Sequence, residues 1–461
     1  MPHKAAELPE IQLLTREELV GTPPFSVPWW TLAVSPDGRR VAYSAGGGPR
    51  HVVVVDGVEG EEYDGIMEGT PVFSPDSKRV AYAAVRSEKW LVVVDGVKGK
   101  EYDAITATGV VFSPDSRRVA YIAGRESKHL VVVDGVEGKE YDGSLRGTLA
   151  FSPDSRRLVY GAVRAGKHLV VVEGVEGNEY DGIWTGSLVF SLDARHLAYG
   201  AGRGGRGLLV LDGVEGKEYD AVGRVVFSAD SGRLAYCARR GNRWLVVVDG
   251  VEGKGYDNIE EGTPLFSPDS RRLAYVAYVA PRGDNGFVVL DGVEGKEYDG
   301  IGNRSVVFSP DSRRLAYLAR RGNRWLAVVD GIEGKEYDDI GEGTLLFSPD
   351  SRRVAYAARR GNRWLVVVDG IEGKEYDDIG EGTLLFSPDS RRVAYAARRG
   401  NRWLVVVDGV EGKEGYDGLL TRSRLVFDSP RQFHILVTRS WRIYLVEVEI
   451  VTPSAGTAPP V

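Results

Sequence analysis

One motif returns along this chain at a nearly fixed spacing, and that period limits the fold more than any other feature. Phe-Ser-Pro-Asp or a close variant recurs with anchors at Val34, Phe73, Phe112, Phe151, Phe190, Phe227, Phe266, Phe308, Phe347, Phe386 and, in degenerate form, Phe427. Most successive anchors are 39 residues apart, with exceptions of 37 (Phe190 to Phe227), 42 (Phe266 to Phe308) and 41 (Phe386 to Phe427). Differences of that size are loop-sized and mark no linker. Repeats take precedence over a domain count from length, which for 461 residues would suggest several domains.

The unit spanning 343–382 is the type case, since stretches 325–363 and 364–402 differ only by Ala327 against Val366. Its apolar runs are short and end at turn residues. Residues 344–347 predict a first strand, stopped by Ser348-Pro349-Asp350-Ser351, where proline pre-sets φ and aspartate bonds the backbone. Residues 353–358 predict a second strand, and Trp364-Leu365-Val366-Val367-Val368, nearly all apolar and rich in β-branched residues, a third one buried on both faces. Asp369-Gly370 opens a hairpin, Gly373 is read as a positive-φ turn residue, and Lys374-Glu375-Tyr376-Asp377 predicts a polar outermost fourth strand.

A four-stranded sheet with two apolar faces cannot cover itself, so each unit must stack face to face on its neighbours. Helical repeats fail, because no segment keeps apolar residues at three-and-four spacing and every unit carries glycine or proline breaks. The expected fold class is all-β: a β-propeller of about eleven four-stranded antiparallel blades. One large ring is preferred, two rings of five and six blades being the alternative. Blade eleven shows only three strands, around 425–427, 433–438 and 443–450, so the N-terminal segment, roughly residues 8 to 27, is expected to supply its fourth. The domain reading is therefore a 1–30 segment carrying the closing strand, a continuous 31–450 array and a 451–461 tail expected to be disordered.

Phe-Ser-Pro-Asp-Ser-Arg-Arg-Val-Ala-Tyr, followed by an apolar strand ending in Asp-Gly, resembles the TolB-type propeller repeat, a relative of the WD and Kelch repeats, in a highly repetitive bacterial form. The likeness covers about residues 31 to 449 in ten clear copies. It implies the fold strongly and function weakly, because such blades serve as binding domains, adaptors and gating domains of peptidases. A peptidase would need a Gly-x-Ser-x-Gly nucleophile elbow, and none occurs in this chain.

Charge and cysteine content narrow the partners. The formal net charge of -7, from 59 basic and 66 acidic residues, lacks the basic field that nonspecific nucleic-acid binding needs. Cys237 is the single cysteine, so no intrachain disulfide or cysteine-rich metal site forms. Residues 1–25 contain no continuous apolar stretch of the kind a signal peptide or membrane span needs, so a cytoplasmic location is expected for the chain as written, and an exported one had a signal been removed. No nucleic acid, membrane or cofactor is expected.

The start of the third strand, seventeen residues after most anchors, is nearly always a large ring: His51, Trp90, His129, His168, Trp244, Trp325, Trp364, Trp403 and Tyr444, with Phe287 shifted by an insertion and Gly207 the exception. The preceding residue is basic in most copies: Arg50, Lys89, Lys128, Lys167, Arg206, Arg243, Arg324, Arg363 and Arg402. Cation-plus-aromatic pairs of this kind suit an anionic or sugar-like partner. The plainer reading, that the aromatic caps the core between blades and the cation screens it, carries more weight. Histidines at equivalent positions stand about 10 Å apart, too far to share an ion.

Ser-Arg-Arg after the first strand and Arg-Arg-Gly-Asn-Arg before the third are read as ion-paired surface, with Asp369, Glu372 and Glu375 near the former and Asp377, Asp378 and Glu381 near the latter. Glu375 and Asp377 are paired carboxylates on an exposed strand repeated blade after blade, a poor catalytic arrangement. Gly200 to Gly205 fits a dinucleotide pattern by letters alone, without the required helix, and Arg282-Gly283-Asp284 matches an adhesion tripeptide by three letters only.

The expected function is that of a non-catalytic scaffold binding a protein or extended ligand through many weak contacts. An enzyme with a channel site or a site in irregular blades five to seven, and a self-associating structural array, are the alternatives.

Overall fold

A computed structural model describes residues 11–23, 31–46, 50–260, 262–279, 285–421 and 423–452. The adhesion-like tripeptide 282–284, most of the tail and residues 1–10 and 24–30 of the N-terminal segment lie outside that set. The fold is all-β, with eleven separate antiparallel sheets of the propeller-blade type, each four-stranded when a split first strand is counted as one. Among the described residues no helix is long and apolar enough to cross a membrane. Two compact units divide the chain, one within 24–336 and one formed by 1–23 with 337–461.

The type-case blade shows how the sequence makes its strands. Its first strand is split into Asp339–Ile340 and Leu346–Phe347, both pairing with the second strand Val354–Arg360, so it is shorter and more broken than residues 344–347 suggest. The third, Arg363–Val368, holds Val366 and Val367 at 2% and 0% exposure, and full burial of each such side chain stabilises by about 1.5–3 kcal/mol. Asp369 (φ 53°) and Gly370 (φ 80°) make the two-residue hairpin in which both central residues turn left-handed, as the Asp-Gly pair predicts.

Two details of the fourth strand, Ile371–Tyr376, differ from expectation. Gly373 keeps negative-side geometry and sits instead at a register shift, where an added Cβ would come 3.1 Å from the Val366 carbonyl oxygen; its requirement is close approach. The strand is also polar only in part, since Tyr376 at its end is fully buried.

Buried tyrosines explain how one blade grips the next. In the larger unit, Tyr102 of blade two meets Tyr121 of blade three edge to face at 6.2 Å, donates its hydroxyl to Glu137 at 3.1 Å and lies under Arg125, which itself donates to Glu137 at 2.8 Å. Tyr141 with Tyr160 and Glu176, and Tyr219 with Tyr236 and Glu252, repeat the arrangement. An edge-to-face pair contributes about 0.5–1.5 kcal/mol beyond burial.

The Ser-Pro-Asp-Ser turns make a second seam at the opposite end of each blade. The Asp76 amide donates to Ser116 Oγ of the following blade at 2.9 Å, and Asp350 does the same to Ser390. Arg79 pairs with Asp95 at 2.8 Å while its guanidinium covers the next anchor, Phe112, at 5.4 Å. The second arginine of Ser-Arg-Arg is thus a joint between blades as well as a surface ion pair.

In the smaller unit, strand Gln12–Gly21 runs antiparallel to Arg442–Val451, with Gln12 opposite Val451 and Gly21 opposite Ile443. It supplies the strand that blade eleven lacks. Ile11 and Leu13 enter the same core as Phe433, Ile435, Val446 and Val448.

Candidate functional site

Nine of the third-strand rings sit where the repeat places them and face inward; Phe287 does not, since Gly286 stands opposite Tyr298 and Phe287 opposite Ala277, the place that Leu365 takes opposite Ala358. Trp90, Trp244, Trp364, Trp403 and Tyr444 are half-buried against the cores of their sheets, His51, His129, His168 and Trp325 are half-buried too, and Phe287 is buried. Trp364 stands opposite Tyr376 in the register and Trp90 opposite Tyr102, so these rings lie beside the tyrosines that grip the next blade. His129 Nδ1 lies 2.8 Å from Ser144 Oγ.

The neighbouring cations turn away from the rings. Lys89, Lys128 and Lys167 pair with Asp103, Asp142 and Asp181 at 2.5–2.6 Å, Arg243 with Asp257 and Arg402 with Asp417 at 2.7–2.8 Å, and Arg50, Arg206 and Arg363 with Glu62, Asp220 and Asp377. Arg324 lies opposite Arg321 at the same hairpin. The same aspartates accept a backbone amide of the following blade, Glu126 on Asp103 and Ala165 on Asp142. Lys128 first and that amide second hold the Asp142 carboxyl below the usual carboxylate range. The cations that do cover tryptophans come from the second strand: Arg239 over Trp244, Arg359 over Trp364 and Arg398 over Trp403, at 5.8–6.0 Å.

Arg360, at the end of the second strand, pairs with Glu372 and lies 3.8 Å from Glu375. Those two carboxylates therefore serve the Arg-Arg-Gly-Asn-Arg end, against the expectation that they lie near Ser-Arg-Arg; only Asp369 does so, 2.9 Å from Arg353. The fourth strand runs from the Asp-Gly turn toward the Arg-Arg-Gly-Asn-Arg end, and Arg360 meets its acids along the way.

Blade five shows that the ring position is a packing position. Gly207 replaces the ring there, and the space is filled by Trp184, whose edge lies 2.9 Å from where a Cβ on Gly207 would be. Where the third strand carries Trp244, Trp325, Trp364 or Trp403, the residue matching Trp184 is Gly223, Gly302, Gly341 or Gly380. In these five blades one large ring is kept by either route.

What the sequence reading missed is a row of exposed apolar side chains beside the Asp-Gly turns. Val58, Val97, Val136, Val175, Val214, Val251 and Val293 are 71–72% exposed and Ile332 74%. Grooves open between consecutive turns of this row: about 710 Å³ between blades five and six, 590 Å³ between seven and eight, and 350 Å³ between three and four. The most voluminous of these three is lined by His196, Leu211, Val214, Phe227 and Tyr236 among others. His196 replaces the usual joint arginine, keeping its carboxylate (Asp212, 2.7 Å) and its ring (Phe227, stacked at 6.3 Å) with a shorter side chain. The recurrence of valine or isoleucine after Asp-Gly, or after Glu173-Gly174 in blade four, was the available signal; the polar letters around it hid it.

No protein-family model matches the chain, and no curated protein matches it. Solved structures that align with it include a eukaryotic initiation factor (14% identity, 74% of this chain and 97% of that one, TM-score 0.39), dihydro-heme d1 dehydrogenase NirN (15%, 69% and 77%, 0.33) and the Dos1 propeller (12%, 73% and 90%, 0.31). Likenesses this distant carry no argument about function, and the propeller class rests on the eleven repeated sheets of the chain itself.

Proposed function

We propose that the chain is a non-catalytic binding scaffold whose partner, a protein or another extended ligand, lies along the row of third-to-fourth-strand hairpins. The observation that carries this reading is the row itself: eight apolar side chains at one repeat position, each more than 70% exposed, with a groove between several neighbours. Scattered exposed apolar residues are ordinary, but a register of them at regular spacing suits a partner with periodic contacts, and weak contacts in series multiply. The rings of the third strand, committed to packing, serve as the frame behind this surface.

The likeness of the motif to TolB-type repeats, which include binding domains, supports the same reading. Non-catalysis is inferred from repetition, since near-identical blades offer many equivalent places and chemistry needs one asymmetric constellation. A self-associating array is disfavoured by the fourth strands, whose charged residues and register shifts at glycine discourage pairing with another edge. The test is capture from native extract by the full chain and by a Val136→Lys, Val175→Lys, Val214→Lys variant. Loss of the captured partner with unchanged thermal stability is expected, and undiminished capture contradicts the proposal.

A further inference from the structure

Blades that are otherwise close copies differ in the loop that interrupts the first strand, and three successive departures meet at one cavity. In blades two, four, five, seven, nine and ten this loop passes through a left-handed glycine, Gly69, Gly147, Gly186, Gly262, Gly343 and Gly382, with φ between 68° and 106°. Blade eight puts Arg304 at that place with φ 50°, a conformation unfavourable for any residue with a Cβ. Blade six lies two residues closer to its predecessor than the usual period, and its unbroken first strand Ala221–Phe227 carries Arg224 instead of the loop. Blade seven has Glu260 where blades nine and ten have Gly341 and Gly380.

Arg224, Glu260 and Arg304 line a single cavity of about 310 Å³, with Gly262, Val276 and Val306 among its walls. A Cβ on Gly262 would come 3.2 Å from Arg304 Cγ, so glycine there keeps room for the guanidinium's stem. Many arginines of the blades are matched by carboxylates, as Arg240 by Glu252 and Arg321 by Glu333. Neither Arg224 nor Arg304 has a hydrogen-bond or ion-pair partner among the described residues. Glu260 accepts the Tyr278 hydroxyl at 2.9 Å. Neither ion pairing nor the left-handed backbone, which glycine adopts freely at this place in six other blades, calls for an arginine here.

We propose that this cavity binds a small oxyanion, a phosphate monoester or a carboxylate, between Arg224 and Arg304, with Glu260 accepting a hydroxyl of the same ligand. Guanidinium forks match the paired oxygens of either anion. The volume of about 310 Å³ equals that of about ten waters at roughly 30 Å³ each, which suits a small metabolite. The proposal is independent of the hairpin surface.

Calorimetric titration of the full chain with inorganic phosphate, ribose 5-phosphate and gluconate tests it. Saturable binding of at least one is expected, weakened about tenfold or more by Arg224→Ala and by Arg304→Gly and unchanged by Arg146→Ala, on the corresponding loop of blade four. Preference for ribose 5-phosphate identifies a phosphoryl ligand and preference for gluconate a carboxylate. Arg304→Gly restores the glycine of the other blades, so its melting temperature is expected to equal or exceed that of the wild type while binding is lost. Absence of saturable binding for all three probes, or affinity indifferent to Arg304→Gly, overturns the proposal.

Discussion

The hydroxyl of Tyr416 donates to Glu17 at 3.1 Å across 399 positions of sequence, and Arg439 donates to the same carboxylate. Tyr376 and Arg399 treat Glu411 identically, at 3.0 and 2.6 Å. The N-terminal strand therefore completes blade eleven with the same tyrosine, carboxylate and arginine that join ordinary blades, as well as with backbone pairing.

That equivalence predicts equal costs. Glu17→Ala and Glu411→Ala each leave a buried tyrosine hydroxyl without its acceptor and an arginine without its anion, and each is expected to destabilise by about 1–3 kcal/mol. Glu17→Gln, which keeps an acceptor, is expected to cost less. Urea unfolding of the three variants checks the ranking.

Acid should loosen the seams between blades. Lys139 then Arg164 draw the Glu176 carboxyl down from 4.5 to about 2; Lys217 then Arg240 do so for Glu252, and Arg321 then Lys296 for Glu333. Each folded-state value lies below the unfolded one, so the stabilisation is complete above pH 4.5 and disappears as the pH falls from there toward 2. Urea midpoints measured down this range are expected to drop, and to drop less in a Glu176→Gln, Glu252→Gln, Glu333→Gln variant.

Cys237 is 6% exposed, and burial pushes its thiol up to about 12. Thiolate is the reactive form. Labelling by an aromatic disulfide reagent is expected to be negligible in the native protein and to proceed at the rate of unfolding in urea.

Trp184 and Gly207 should behave as a coupled pair. Gly207→Trp alone drives a second ring into occupied space, and Trp184→Gly alone leaves a hole; the double exchange recreates the arrangement of Gly341 with Trp364. A double-mutant cycle by urea unfolding is expected to give a coupling of about 1–3 kcal/mol in favour of the exchange.

The sequence made the blades legible wherever the signal is local. The spacing of the anchors, the Asp-Gly hairpin and the buried Trp364–Val368 run are set by near neighbours, and all three take their predicted form. The missing strand of blade eleven was legible by subtraction. Contacts between blades were not: Tyr102 reads as one apolar letter in a polar run, and its acceptor Glu137 stands 35 residues away. Gly373 was misread because a glycine at a bulge and a glycine at a turn look alike in sequence. The third-strand rings were found by pattern, yet only three-dimensional packing shows that Trp364 faces the core while Val136 and Val175 face solvent.

Hydrogen exchange of the complex with the captured partner places that partner directly. Slowed exchange confined to the hairpins around residues 134–138, 173–177 and 212–216 is the result predicted. Protection at the third-strand starts around Trp364 and Trp403, with the hairpins exchanging as in the free protein, would contradict the account.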